Sequence, residues 1–331
     1  MPTTVLVTDY AWPSLDVERR ILAGVGAEVV VATMGDEREL VALAPGADAI
    51  LTNWKPVTAR VLDAASRCTT VARYGVGVDN IDVARATELG IVVSNVPDYC
   101  IDEVSDHAIA LMLALARRIV DFAAQTRAGG WDNQAFGPLH RLRDRTLGLI
   151  GFGRIARLVA PKARAFGLGI LAYAPSLSPG AHHGVEATAS LDELLARSDL
   201  VSLHAPLTPA THHLLGPEEL ARMRPGALLV NTARGGLLDL EAVRAALSDG
   251  RLGGVGLDVL DEEPPPPDDP IRGVPGVVLT PHAAFYSVES VVELQKKASA
   301  NVVSALGGTA PETTVNPDVL GSPSLRLARD T

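Results

Sequence analysis

Short apolar runs alternate with helically spaced segments along almost the whole chain. Residues 5–9, 28–33, 49–53, 70–74 and 91–95 are short, mainly apolar runs of strand length. Between them, residues 15–23, 40–43, 58–65 and 83–89 place apolar side chains three and four apart, the period of a helix with one buried face. Strands alternating with helices predict a parallel sheet with helices on both faces. This first unit closes near Pro97. Residues 104–119 form the longest helical pattern and are apolar almost all round, as in a helix buried between layers or subunits. The alternation then resumes. Strands are predicted at 147–150, 169–173, 200–204, 227–231, 255–259 and 277–280, and helices at 191–196, 217–223, 240–248 and 288–304. Four consecutive prolines from Pro264 to Pro267 make a stiff loop. Periodicity stops after about Asn316, which predicts a mobile tail over 318–331.

The stretch TLGLIGFGRIA, residues 146–156, joins an apolar run to a periodic segment through Gly151 and Gly153, with Ala156 in third place. The first glycine permits a sharp turn. The second lets backbone approach a pyrophosphate, and the small third residue lets helix pack on strand. The helix start behind them offers free N–H groups and the positive end of a dipole to phosphates. This is a dinucleotide-binding fingerprint in its strand–turn–helix setting. It lies in mid-chain, behind about 145 residues of separate α/β pattern. A dinucleotide domain inserted into a second α/β domain fits that order, with the last helix returning to the first domain. A cleft between two domains is where a small substrate would meet a cofactor.

Length and charge narrow the function. The 331 residues are 47% hydrophobic, enough for two cores. A net charge of −10 argues against a nucleic-acid binder, which shows a basic face. It leaves room for an anionic small molecule, whose site needs only local cations. Cys68 and Cys100 make no disulfide framework and suit a reducing compartment. The start at Met1 runs straight into the first strand without a signal-peptide pattern, and the apolar stretches are too short to span a bilayer. Together these predict a soluble cytoplasmic protein. The adjacent pairs His182–His183 and His212–His213 lack further ligands at metal-site spacing, so no metal site is expected.

Three charged residues follow the fingerprint at predicted strand ends: Arg234 after LLVNTA, Glu263 after GLDVLDE, and His282 after VVLTP. Ligands of open parallel sheets bind beyond the carboxyl ends of the strands, so three strands would deliver these residues to one edge. The chemistry suggested is hydride transfer at a carbonyl. Arg234 would hold a carboxylate with its two-pronged donor fork. His282 would exchange a proton with the carbonyl oxygen, and Glu263 would orient the imidazole.

With those residues in view, the chain resembles the D-isomer-specific 2-hydroxyacid dehydrogenases. The matching stretches are RYGVGVDNIDV (73–83), GFGRIA (151–156), SLHAPLTPAT (202–211), LVNTARGGLLD (229–239), GLDVLDEEP (256–264) and LTPHAAFYS (279–287), in the family's order. PDYCIDEVSDHA and HAAFYS are most similar to the branch that holds the C-terminal-binding proteins, transcriptional co-repressors of this fold. The resemblance implies two doubly wound parallel-sheet α/β domains: a Rossmann nucleotide-binding domain, residues 99–285, inserted into a flavodoxin-like substrate domain, residues 1–98 and 286–317. It implies a catalytic Arg234, Glu263 and His282, with backbone N–H groups of Val76 and Gly77 binding the substrate carboxylate beside Arg234. Gly151, Gly153, Arg154 and Ile155 would lie at the pyrophosphate of a nicotinamide cofactor. His204, Pro206 and Thr208 would border its adenosine side, while Thr232, Ala233, Asp258 and Ala284 would lie near the nicotinamide. A homodimer through the nucleotide-binding domain is typical of the family.

Departures from the family pattern refine these expectations. Where the family has a ribose-binding Asp, this chain has Ala174, followed by Pro175 and Ser176. NAD(H) is expected to be preferred, with NADP(H) possible. Phe285 replaces the tryptophan of the co-repressors, and the loop Thr52-Asn53-Trp54-Lys55 lacks the arginines of phosphoglycerate-specific members. Phosphite-oxidising members carry lysine in place of Val76, and formate-oxidising ones carry glutamine in place of Glu263. Asn53, Trp54, Lys55, Tyr99 and Phe285 are the expected lining of the side-chain pocket. The expected activity is interconversion of a small 2-oxo acid and a D-2-hydroxy acid. Two alternatives stand beside it: a nicotinamide-sensing regulatory protein like the co-repressors, or a reductase of a doubly charged oxo acid whose second anionic group pairs with Lys55.

Overall fold

A computed structural model describes residues 2–182 and 184–327. The chain divides into two compact units, one made of Met1–Tyr99 with Ser287–Thr331 over their described residues, the other of Cys100–Tyr286. The first opens with β1 (Thr3–Val7), α1 (Asp16–Ala23), β2 (Ala27–Val31), α2 (Glu37–Leu43), β3 (Ala49–Thr52), α3 (Ala59–Ala64), β4 (Thr70–Arg73), α4 (Val83–Glu88) and β5 (Val92–Ser94). Its five strands lie in the order β2-β1-β3-β4-β5, and the pairings are parallel. This is the flavodoxin-like order. Every residue of β3 and β5 is buried, because helices cover both faces of a parallel sheet. Asp36 and Asp82 start α2 and α4 by accepting the backbone N–H three residues on.

The second unit continues with α5 (Ile101–Ala116), α6 (Ile119–Arg127), β6 (Thr146–Ile150), α7 (Arg154–Ala165), β7 (Gly169–Tyr173), β8 (Gly180–His182), β9 (Val185–Ala187), α8 (Leu191–Arg197), β10 (Leu200–Leu203), α9 (Pro217–Arg222), β11 (Ala227–Asn231), α10 (Leu240–Ser248), β12 (Leu252–Leu257) and β13 (Val277–Leu279). The strand order is β13-β12-β11-β10-β6-β7-β9-β8. Counted from the fingerprint strand β6, that is the Rossmann order with one further parallel strand and one antiparallel edge strand. Ile150, Leu203, Asn231, Leu257 and Leu279 are level in register across five neighbouring strands. The residues just after them therefore leave the sheet along one edge.

The structure departs from the sequence pattern in three places. The apolar helix ends at Ala116 rather than residue 119, since Arg118 turns left-handed at φ 50° and starts the separate helix α6. The hairpin β8–β9 went unseen because strands of three residues are too short to show a period of two. The expectation of a mobile tail is corrected over its first part. Pro317–Gly321 is a 3-10 turn, and Val319 and Leu327 are buried with Val92 and Ala305. Asn316 bonds Val93, Thr87 and Ile91, while the Arg326 guanidinium donates to the carbonyls of Ala65 and Cys68. Single anchors on irregular backbone hold this segment, and such anchoring leaves no periodicity to read. Residues 328–331 lie outside the described residues. The first unit is completed by α11 (Val288–Leu306), whose Ser287 side chain caps its start.

Candidate functional site

The level strand ends of the second unit carry the fingerprint and the three charged residues. Gly151 follows β6 at φ 88°, and a Cβ there would sit 2.5 Å from the His204 carbonyl oxygen. Only glycine fits both the angle and the contact. Gly153 is the N-cap of α7, and nothing lies within 4 Å of where its Cβ would be. Ala156 is fully buried against the sheet, Ile155 packs on the same core, and Arg154 is exposed. An open space over an uncapped helix N-terminus, reached by a glycine turn, fits a pyrophosphate.

Along the same edge, Ala174 is half-buried just after β7 and Pro175 is exposed; the turn closes with Leu177 N–H on the Ala174 carbonyl. His204 follows β10 with Nε2 3.0 Å from Ser202 Oγ, and burial pushes its ring down to about 4, so it is neutral at neutral pH. Pro206 and Thr208 belong to a loop folded on itself, in which Thr211 Oγ1 donates to the Pro206 carbonyl and accepts from Thr208 N–H. After β11, the buried Asn231 side chain accepts from Ala233 N–H and donates to the Arg234 carbonyl, fixing the turn. Thr232 Oγ1 is buried without a protein partner. Such an orphaned hydroxyl at a strand end fits a ligand's polar group.

Arg234, Glu263 and His282 come together at this edge. His282 Nδ1 is 2.6 Å from Glu263 Oε2, and Leu260 N–H donates to Glu263 Oε1 at 2.8 Å. Burial pushes the Glu263 carboxyl up. The His282 hydrogen bond and charge, the Leu260 amide and the Arg234 guanidinium outweigh that and hold it below its ordinary value. Arg234 Nη1 donates to the Ala233 carbonyl at 2.7 Å. The approach of these loops depends on Gly235, where a Cβ would lie 2.0 Å from the Leu260 carbonyl carbon. With Nδ1 committed to Glu263, Nε2 of His282 is the nitrogen left for chemistry. Phe285 lies edge-on to the His282 ring, the centroids 6.2 Å apart.

Asp258 does something the sequence did not reveal. Its side chain is 1% exposed and braces the His282 turn. Oδ1 accepts from Ala283 N–H at 2.8 Å and Oδ2 from Ala284 N–H at 2.9 Å, while its carbonyl accepts His282 N–H at 2.8 Å. Thr280 Oγ1 donates to Oδ1 at 2.6 Å, and His107 Nε2, from α5, lies 3.0 Å from Thr280 Oγ1. His107 sits in the long apolar helix pattern with no local signal of this role. Gly254 and Gly256 on β12 are what admit it, because a Cβ at either would crowd Leu115 or Leu111 of α5.

In the first unit, the Asp9 carboxylate accepts the backbone N–H groups of Asn53, Trp54 and Lys55, and Asn80 donates to the carbonyls of Asn53 and Lys55. Asn53 is buried, with Nδ2 lacking a protein partner, and Trp54 is half-exposed. Lys55 runs its stem against Gly35, after β2, on the side away from β4. The cation beside the Gly75–Gly77 turn is instead Arg73, 3.4 Å from Asn53 Oδ1 and against Gly75. Val76 is exposed, its carbonyl accepting from Asn95, and Tyr99 is buried. Among the described residues no helix is long and apolar enough to cross a membrane.

The NAD-binding domain of the D-isomer specific 2-hydroxyacid dehydrogenases matches residues 109–284. A glyoxylate reductase from Korarchaeum cryptofilum is 42% identical over 271 residues, covering 80% of this chain and 81% of that protein. A D-3-phosphoglycerate dehydrogenase from Methanocaldococcus jannaschii is 39% identical over 315 residues, 94% of this chain and 59% of that longer protein. In structure, a glyoxylate reductase from Paecilomyes thermophila superposes with a TM-score of 0.86 at 31% identity, covering 96% of this chain and 99% of that one.

Proposed function

The chain belongs to the D-isomer specific 2-hydroxyacid dehydrogenase family, and we propose that its substrate is a small 2-oxo acid of the glyoxylate type, reduced with NADH. It is an oxidoreductase that interconverts a 2-oxo acid and a 2-hydroxy acid with a nicotinamide cofactor. The observation that carries the site assignment is the 2.6 Å His282–Glu263 pair, with the Arg234 charge acting on Glu263.

The residues divide the work as follows. Gly151, Gly153, Arg154 and Ile155 would hold the pyrophosphate; Ala174 and Pro175 would flank the ribose, and His204, Pro206 and Thr208 the adenosine. Thr232, Ala233, Asp258 and Ala284 would border the nicotinamide. When bound, the nicotinamide would supply the hydride chemistry at the carbonyl carbon. Arg234 pairs its guanidinium fork with the substrate carboxylate. His282 passes the proton from Nε2 to the carbonyl oxygen as the alcohol forms, and recovers it in the reverse direction. Glu263 stays ionised, keeps Nδ1 protonated and balances the charge on the ring. We assign carboxylate binding also to the amides of Val76 and Gly77, and the side-chain pocket to Asn53, Trp54, Tyr99 and Phe285. The direction of the Lys55 stem gives no support to a second anionic group held by that lysine. We place the enzyme in the cytoplasm, as a homodimer through the nucleotide-binding unit. Support for the dimer comes from α6, which buries none of its residues and exposes Ile119 and Val120, and from Trp131, which is 91% exposed.

The test is NADH oxidation against glyoxylate, pyruvate, hydroxypyruvate, phosphohydroxypyruvate and oxaloacetate. Glyoxylate or hydroxypyruvate should give the highest kcat/KM, and His282→Ala should lower turnover about a hundredfold or more with NADH affinity retained. Turnover of none of these acids would refute the substrate class, and near-normal turnover in the variant would remove His282 from the reaction.

A further inference from the structure

We propose that His107 and Thr280 are positioning residues for His282, acting through Asp258; this rests on the reading of His282 as the proton carrier. His282 stands at φ 51°, a left-handed backbone that a residue with a Cβ keeps only where its surroundings impose it. Hydrogen bonds to Asp258, with the Thr280 carbonyl also accepting the His282 N–H at 3.0 Å, impose it here. Asp258 takes the N–H groups of His282, Ala283 and Ala284 on its carbonyl, Oδ1 and Oδ2. Since this carboxylate is almost wholly buried, the protein must satisfy its charge and fix its orientation.

The bond that fixes it comes from Thr280. Its hydroxyl has one proton and gives it to Asp258 Oδ1 at 2.6 Å. The Thr280 oxygen can then only accept from His107, so His107 carries its proton on Nε2. A directed relay results, from His107 Nε2–H to Thr280 Oγ1–H to Asp258 to the backbone of His282. His107 Nε2 also stands 3.5 Å from Asp258 Oδ1. Leu111, one helical turn after His107, rests on Gly256 of β12, two residues before Asp258, so the packing of α5 fixes the height of the imidazole on the sheet. Without the His107 donor, the Thr280 hydroxyl is no longer aimed at Asp258. The carboxylate loosens, and the His282 turn relaxes towards an ordinary backbone. Nδ1 stays on Glu263 while Nε2 swings away from the carbonyl oxygen.

The experiment uses the full chain with four substitutions: His107→Phe and Thr280→Val, which remove the donors at similar volume, and His107→Gln and Thr280→Ser, which keep one. Thermal unfolding identifies the folded variants. The first two should lower kcat for glyoxylate reduction about tenfold to a hundredfold, as expected for loss of a charge-assisted hydrogen bond and displacement of a reacting group. KM for glyoxylate and the Kd for NADH should not move. Thr280→Ser should recover most of the loss, and the double variant His107→Phe/Thr280→Val should be no worse than either single one. The downfield ring N–H proton of His282, identified by its disappearance in His282→Asn, should shift or broaden in His107→Phe. Unchanged kcat and resonance would overturn the proposal, as would additive losses. A loss carried only by NADH affinity would also overturn it, by assigning Asp258 to the cofactor instead. If the wild type reduced no 2-oxo acid, the functional reading would fail, and the His282 resonance would still decide the role of His107.

Discussion

Replacing Gly235 by alanine tests whether the close approach of two loops builds the site. The new methyl would lie 2.0 Å from the Leu260 carbonyl carbon, 2.3 Å from Asp261 N and 2.4 Å from the Leu260 oxygen. All three are backbone atoms, so no side chain can swing aside. Ordinary contact begins near 3.4 Å, and relief requires the two backbones to part by about 1 Å or more. Overpacking of this kind costs about 1–3 kcal/mol. For a unit of this size that lowers Tm by roughly 3–10 °C. The same displacement carries off the Leu260 amide that holds Glu263 Oε1, and with it the support of His282. A misplacement on the order of 1 Å at reacting groups costs about a hundredfold in kcat/KM. The assay pairs thermal unfolding with steady-state reduction, using Gly153→Ala as the contrast. That site has nothing within 4 Å, so its variant should keep the wild-type Tm and weaken NADH binding instead. A Gly235→Ala protein with wild-type Tm and kcat/KM would refute the reasoning, because residues 260–261 would then move freely without disturbing Glu263.

Three further outcomes follow from the same geometry. Arg234→Lys should lower kcat/KM strongly with NADH affinity retained, since an ammonium lacks the planar fork; equal kcat/KM would rule out a bidentate carboxylate. Ala174→Asp should tighten NADH and weaken NADPH, because a carboxylate accepts from the ribose hydroxyls and repels a 2′-phosphate. Wild-type kcat/KM for NADPH well above that for NADH would show the expected preference to be inverted. Burial holds His204 down at about 4, whereas in the unfolded chain it titrates near 6.5. Its contribution to stability is therefore complete above about 6.5 and is lost as pH falls towards 4. Urea unfolding at several pH values across that window should show His204→Gln losing less stability on acidification than the wild type, and parallel losses would contradict this.

The sequence by itself determined the α/β alternation, the mid-chain fingerprint and the three charged residues behind strand ends. These are local patterns. A buried parallel strand must be apolar on both faces, and a glycine turn must carry its glycines in sequence. Alignment of Arg234, Glu263 and His282 along one edge then follows from sheet register, which keeps successive parallel strands level. Features of non-local origin were left to the tertiary structure. Nothing near His107 marks it, because its partner Thr280 lies 173 residues away and reaches it only after α5 has settled on the glycines of β12. The sequence places Asp258 at the strand end, but that its oxygens also brace the turn after His282 shows only in the fold. Lys55 sits in the expected loop, but the direction of its stem depends on the space left by Gly35 on another strand end. Residues 317–327 have no period because their anchors are isolated: Arg326 meets distant carbonyls, and Val319 and Leu327 pack singly on distant apolar residues. Period and spacing belong to the chain, whereas hydrogen-bond partners, burial and side-chain direction exist only once separate elements have met.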